Sequence, residues 1–142
     1  MSYTFRSAAP TDWEQVAQLL TRVELPLDGA QEHLADFVLA VDGEQLAGVA
    51  AVEQYAEHGL LRSVAVAQRG QGLGQTLVRH ILAQARAEGL QDITLLTTTA
   101  ADFFPRFGFE KIAREQTPAA VQTSIEIQEA CPASATVMFL KL

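Results

Sequence analysis

The sequence predicts an α/β domain, and three observations carry that prediction. Two stretches, around Trp13–Leu20 and Leu73–Ala85, place apolar residues at helical spacing. Runs such as Leu60–Val66 and Asp92–Thr98 are apolar or β-branched over strand length. Asp42-Gly43, set between two such runs, is the strongest short hairpin signal in the chain. With 142 residues, 49% hydrophobic and 19% charged, the chain can fill one core and is short for two, so residues 1–142 are expected to form a single domain.

The elements follow in order. Tyr3–Ser7 reads as a first strand. Thr11 with Glu14 reads as a capping box, and Trp13, Val16, Ala17 and Leu20 form the apolar stripe of a helix over Asp12–Arg22. Glu24-Leu-Pro-Leu-Asp-Gly29 breaks that helix, and Asp28 is placed to cap a short second one through Ala35. Phe37–Val41 and Gln45–Gln54 form the hairpin, and Leu60–Val66 the next strand. Leu73, Leu77, Val78, Ile81, Leu82 and Ala85 line one face of a helix that Gly89 should stop. Asp92–Thr98 is a strand, Asp102–Phe107 a short helix with Pro105 in its first turn, and Phe109–Arg114 another strand. Thr117–Glu129 fits either state, and Thr136–Leu140 closes the chain as a strand.

The net charge of −7 disfavours nucleic acid and anionic membrane as partners, because both select a basic surface. No targeting segment or membrane-length apolar run is evident, and the single cysteine, Cys131, cannot make an internal disulfide. The expected compartment is the cytoplasm. Within this acidic chain, Gly59 through Ala87 contains no Asp or Glu while holding Arg62, Arg69, Arg79 and Arg86. A local positive zone of that kind suits a small polyanion, although a merely solvated basic face is the competing reading.

Leu60–Val66 runs straight into Arg69-Gly-Gln-Gly-Leu-Gly74 and then into the longer helix. Backbone N–H groups at a helix start are unpaired and carry the positive end of the dipole, and Gly70, Gly72 and Gly74 let a pyrophosphate approach them. The familiar nucleotide motifs do not fit: a G-x-G-x-x-G register from Gly72 meets Leu77, and no G-K-[ST] is present.

These residues resemble a family. Val64-Ala-Val-Ala-Gln-Arg-Gly-Gln-Gly-Leu-Gly74 is similar to the core motif of the GNAT N-acetyltransferases, a strand followed by R-x-x-G-x-G and a helix. Phe103-Phe-Pro-Arg-Phe-Gly-Phe109 resembles the family's second CoA-contacting element. The likeness covers nearly the whole chain. It implies a mixed, largely antiparallel central sheet with helices on both faces, and acetyl-CoA entering between two splayed parallel strands. A narrower likeness, on Leu60–Val66, Leu95-Leu-Thr-Thr-Thr-Ala100 and Cys131-Pro-Ala-Ser-Ala135 with Met138, is to the ArsN-type acetyltransferases associated with arsenic resistance. It implies an amino-acid-like acceptor, including arsenic- or phosphorus-containing amino acids.

The resemblance assigns cofactor roles residue by residue. Main-chain N–H groups of Gln71, Gly72, Leu73, Gly74, Gln75 and Thr76 would hold the pyrophosphate, after Gly70, with Arg69 adding charge. Val64, Ala65 and Val66 would offer a strand edge to pantetheine and the thioester. Phe103, Phe104 and Arg106 would flank the cofactor, with core packing as the alternative for the two phenylalanines. Acetyl-CoA is the implied cosubstrate, with no metal; a small-molecule amine is the implied partner, and a homodimer the implied assembly.

Acetyl transfer needs a neutral amine, a polarised carbonyl and a route for protons off nitrogen and onto sulfur. Family members commonly use direct attack, so Cys131 need not be a nucleophile. Phe103-Phe104 stands where many members carry a proton-donating tyrosine, and the only tyrosines are Tyr3 and Tyr55. Glu53 is the first candidate for a base, acting through water, with His58 behind it. Arg62, on the same alternating strand face as Val64 and Val66, is the candidate anchor for an acceptor carboxylate, against a salt bridge as the alternative. Leu25 and Asp28 fall where the family builds the acceptor wall. The expected reaction is N-acetylation of an amino acid or analogue. A protein or peptide N-acetyltransferase and a non-catalytic acyl-CoA sensor remain as alternatives.

Overall fold

Consecutive residues of a strand point to opposite faces of a sheet, and that alternation sorts this chain into two layers around one sheet. In the computed structural model, which describes residues 3–124 and 135–142, the strands are β1 (Thr4–Ser7), β2 (Phe37–Asp42), β3 (Gln45–Tyr55), β4 (His58–Val66), β5 (Asp92–Thr97), β6 (Glu110–Ile112) and β7 (Thr136–Lys141). The helices are α1 (Trp13–Arg22) and α2 (Leu73–Ala87). The sheet runs β1-β2-β3-β4-β5-β7-β6. Its neighbours are antiparallel except β4 and β5, which are parallel and joined by α2.

In β2, Val38 and Ala40 pack against Leu77, Val78 and Ile81 of α2, whereas Phe37 and Leu39 pack against Val16, Leu19 and Leu20 of α1. The two helices therefore cover opposite faces. Full burial of a leucine, isoleucine or valine is worth roughly 1.5–3 kcal/mol. The buried stripe of Leu73, Leu77, Val78, Ile81 and Leu82 thus fixes α2, and with it the position of the α2 N-terminus beyond β4. Gly48 on β3 permits the close approach: a Cβ there would lie 2.8 Å from Leu77 Cδ1.

Two expected local features take another form. The start of α1 is not capped by Thr11 and Glu14. Residues Pro10–Asp12 form a 3₁₀ turn, and the Asp12 carboxylate accepts the Ala9 N–H at 2.7 Å and both Arg6 Nη groups at 2.8 Å. Those donors, Arg6 first, pull the Asp12 carboxyl down to about 2. The short helix expected from Asp28 to Ala35 is absent: residues 28–33 are turns, followed by a 3₁₀ helix at Leu34–Asp36. Gly29, which would open that helix, is left-handed at φ +75°, and the carbonyls of Pro26 and Asp28 beside it accept from Arg62. Cys131 lies outside the described residues, as does most of the Cys131–Ala135 stretch. Among the described residues, no helix is long and apolar enough to cross a membrane.

Candidate active site

Parallel strands β4 and β5 pair from His58↔Asp92 only as far as Leu61↔Leu95, although β4 continues to Val66 and β5 to Thr97. Beyond Leu61 they diverge. The gap is a cleft of about 330 Å³ lined by residues 61–64 of β4 and residues 95–100 in and after β5. Glu24, Leu25 and Pro26 wall it on the α1 side, and Phe104, part of the α2-side core, lies on the other.

A bulge sits at the point of divergence. Val49 pairs with Ala65 and Ala51 with Arg62, so Ala50 alone faces both Ser63 and Val64. Ser63 has φ +62°, a left-handed conformation that strains a non-glycine residue. Among the described residues the other non-glycine residues of this kind are Glu24, also lining the cleft, and Ala56, in the turn between β3 and β4. Backbone strain, about 1–3 kcal/mol per residue, concentrates where structure serves function.

The bulge also reverses the face expected for Arg62. Val64 and Val66 pack on the α2 side and Ala65 on the α1 side, while Arg62 reaches the segment beneath α1. Its side chain has no exposed surface: Nη1 donates to Glu53 Oε2 and to the Asp28 carbonyl, each at 2.8 Å, Nη2 to the Pro26 carbonyl at 3.2 Å, and Nε to Ser63 Oγ at 3.0 Å. Such a guanidinium is not presented to a carboxylate of an acceptor. It ties the acceptor-side wall to β4.

Glu53, expected as a base, is the buried hub of the same network, 1% exposed and not part of the cleft lining. Its Oε1 accepts from Ser124 Oγ at 2.8 Å and from the Tyr55 hydroxyl, and His33 Nε2 lies 3.9 Å away. Burial alone would raise its pKa, but the bonds from Arg62, Tyr55 and Ser124, with His33 nearby, hold the carboxyl below its ordinary value. A carboxylate so stabilised is a weak base. Tyr55 is pushed up to about 12, by burial and then by Glu53, so it is a poor acid as well. His58 binds both Asp92 oxygens at 2.9 Å, at the end of β4 away from the divergence.

The glycine loop meets the cleft through the aromatic segment. Gly72 is the N-cap of α2 at φ +75°, and Gly70 has φ +84°; neither conformation suits a residue with a Cβ. The first α2 bond runs from Thr76 N to the Gly72 carbonyl at 3.2 Å, and Thr76 Oγ1 donates there too, so Thr76 has no main-chain N–H to offer a ligand. The N–H groups of residues 71–75 meet no acceptor among the described residues. No acidic side chain occupies the first turn, and Arg69 is exposed in the loop. A Cβ on Gly74 would lie 3.6 Å from Phe103, whose ring packs edge-on against Phe104 at 5.1 Å. Arg106 lies over the Phe103 ring at 4.7 Å and donates from Nε to the Phe103 carbonyl. Loop, aromatic pair and cleft are thus contiguous. Phe103 is half-buried and Phe104 is core while still lining the cleft. Leu25 lines the cleft, whereas Asp28 contributes its carbonyl to Arg62 and leaves its side chain exposed.

Ser63, Glu24 and Thr97 to Thr99 also line the cleft, though nothing but their position in the fold singles them out. Glu53 and Arg62 could have been paired from sequence, being lone opposite charges in two apolar strands joined by a tight turn. Among the described residues, no group of three or more His, Cys, Asp or Glu side chains is placed to hold a metal ion.

Comparison with known proteins agrees with this geometry. A family model described as an acetyltransferase (GNAT) domain matches residues 33–111. An amino-acid acetyltransferase of Neisseria meningitidis serogroup A is 28% identical over 92 residues, 62% of this chain and 21% of that protein. An uncharacterized N-acetyltransferase of Chlorobaculum tepidum is 33% identical over 90 residues, 61% of this chain and 57% of that one. The chain therefore spans about a fifth of the Neisseria protein and little more than half of the Chlorobaculum one. Among solved structures, N-acetylglutamate synthase from Neisseria gonorrhoeae, complexed with coenzyme A and N-acetyl-glutamate, shares the fold at a TM-score of 0.85 and 21% identity, over 100% of this chain and 35% of that one. A Mycobacterium tuberculosis protein solved in complex with CoA matches at a TM-score of 0.79 and 26% identity, over 98% of this chain and 99% of that one. With the splayed strands, the glycine loop and the family match in agreement, the chain belongs to the GNAT acetyltransferase family, whose enzymes move an acetyl group from acetyl-CoA to an amine nitrogen.

Proposed function

We propose that the protein transfers an acetyl group from acetyl-CoA to the α-amino group of an amino acid or amino-acid analogue in the cytoplasm. The observation that carries the reading is the cleft between diverging β4 and β5, continuous with the open N-terminus of α2. On this reading the pyrophosphate lies on the N–H groups of residues 71–75 beside Arg69. Pantetheine follows the edge of Val64, Ala65 and Val66, and Phe103, Phe104 and Arg106 flank the cofactor. The acceptor enters beside Leu25. The relatives named as an amino-acid acetyltransferase and an N-acetylglutamate synthase support an amino-acid acceptor. The segments that resemble ArsN-type enzymes, residues 60–66 and 95–100, include much of the cleft lining, which extends the proposal to arsenic- and phosphorus-containing amino acids.

A thiol-release assay with acetyl-CoA across amino acids, their phosphorus and arsenic analogues, polyamines and basic peptides tests the proposal. Turnover should be confined to the amino acids and analogues. Turnover only with peptides would favour a peptide acetyltransferase, and CoA binding without turnover on any amine would favour a sensor.

A further inference from the structure

We propose that the Ser63 hydroxyl is a catalytic group of this chain, donating a hydrogen bond to the thioester carbonyl oxygen as that oxygen gains negative charge. The proposal rests on the acetyltransferase reading above. Ser63 is 7% exposed, yet it lines the cleft two residues after Leu61, the last residue of β4 paired to β5.

A serine hydroxyl has one hydrogen to give and two lone pairs to offer. Here the oxygen accepts from Arg62 Nε at 3.0 Å, and Ser63 makes no other side-chain hydrogen bond to a described residue. The hydrogen is therefore left for a ligand. Arg62 is immobilised between Glu53 and the carbonyls of Pro26 and Asp28, so the serine oxygen is held by a fixed partner. The guanidinium charge polarises that hydroxyl and strengthens it as a donor. This gives the buried ion pair a task at the site, although neither of its members needs to touch substrate.

The backbone supplies a second, independent reason. A glycine would adopt the φ of +62° at this bulge without strain, whereas the chain carries a serine there. The strained residue brings to the cleft a hydroxyl that a glycine lacks.

The chemistry balances without the serine losing its proton. The amine lone pair attacks the thioester carbon, and the carbonyl π pair moves onto oxygen, which the Ser63 O–H stabilises. That pair then re-forms the carbonyl, the C–S bond breaks, and its electrons leave on the CoA sulfur. The proton released by the amine nitrogen passes through solvent to that sulfur.

The test compares wild type, Ser63→Ala and Ser63→Gly in steady-state kinetics and thermal melts. Both variants should lose kcat by roughly 100–1,000-fold, the scale of losing one oxyanion donor, with the KM for acetyl-CoA unchanged. Glycine relaxes the left-handed backbone and alanine does not, so Ser63→Gly should melt higher than Ser63→Ala while being equally slow. If kcat follows melting temperature, so that Ser63→Gly keeps wild-type turnover, the serine is structural and the proposal is overturned. A raised acceptor KM at unchanged kcat overturns it too. Absence of wild-type turnover with every amine would remove the acetyltransferase reading itself, whereas active wild type with unaffected variants removes this inference alone.

Discussion

Arg62→Ala is expected to cost about 3–5 kcal/mol of stability, the penalty for leaving a buried carboxylate without its partner, and to lower the melting temperature by on the order of 10 °C. Arg62 and Glu53 are both almost wholly buried, so solvent replaces little of what the truncation removes. The Pro26 and Asp28 carbonyls lose their donor in the same step, so the acceptor wall should loosen and the acceptor KM rise while CoA affinity holds. Glu53→Gln/Arg62→Ala should recover part of the stability, because the neutral amide oxygen still accepts from Tyr55 and Ser124 with no unpaired charge. The pH dependence has a definite sign. In the wild type the Glu53 carboxyl is held below its ordinary value, so its contribution is complete above the unfolded value of about 4.3 and is lost as pH falls through the folded one. Without Arg62, burial favours the protonated acid. The deficit of Arg62→Ala should thus be largest near neutrality and shrink as pH falls through the carboxyl range, from the variant's raised value down to the wild type's lowered one. A deficit independent of pH would contradict the assignment of Glu53 as an ionised hub.

Gly72→Asp is expected to weaken CoA binding by at least about tenfold, more than roughly 1.4 kcal/mol, while costing about 1–2 kcal/mol of stability for a side chain at φ +75°. Aspartate tolerates a left-handed backbone better than most residues and is a favoured N-cap, so α2 should remain intact. As a cap, its carboxylate would itself accept the N–H groups at the α2 start and would repel a diphosphate approaching them. Calorimetric titration with CoA decides the matter: unchanged affinity in a folded variant would mean that the diphosphate lies elsewhere.

Much of this fold was legible because its strands and helices bury regular stripes. The α2 stripe and its glycine loop are local patterns, and the Asp42-Gly43 turn fixes a hairpin between neighbours. What sequence reading missed is long-range or irregular. Strict alternation placed Arg62 with Val64 and Val66, but one extra residue in β4 moves Arg62 to the opposite face, and a serine gives no warning of a left-handed bulge. A helix from Asp28 fitted local capping rules, but Gly29 is left-handed at φ +75° and the neighbouring Asp28 and Pro26 carbonyls bond to Arg62, 34 and 36 residues further on. Glu53 looked available as a base because its three donors, Tyr55, Arg62 and Ser124, converge only in the folded chain.

Titration of the isotopically labelled protein with CoA, followed through backbone amide resonances, tests most directly whether the cofactor spans from the α2 N-terminus into the β4–β5 gap. The largest shifts should fall on residues 71–75 and on Val64, Ala65 and Val66, with smaller ones at Phe103 and Phe104. Saturable binding whose shifts gather instead on α1, or no shift at the start of α2, would contradict that placement.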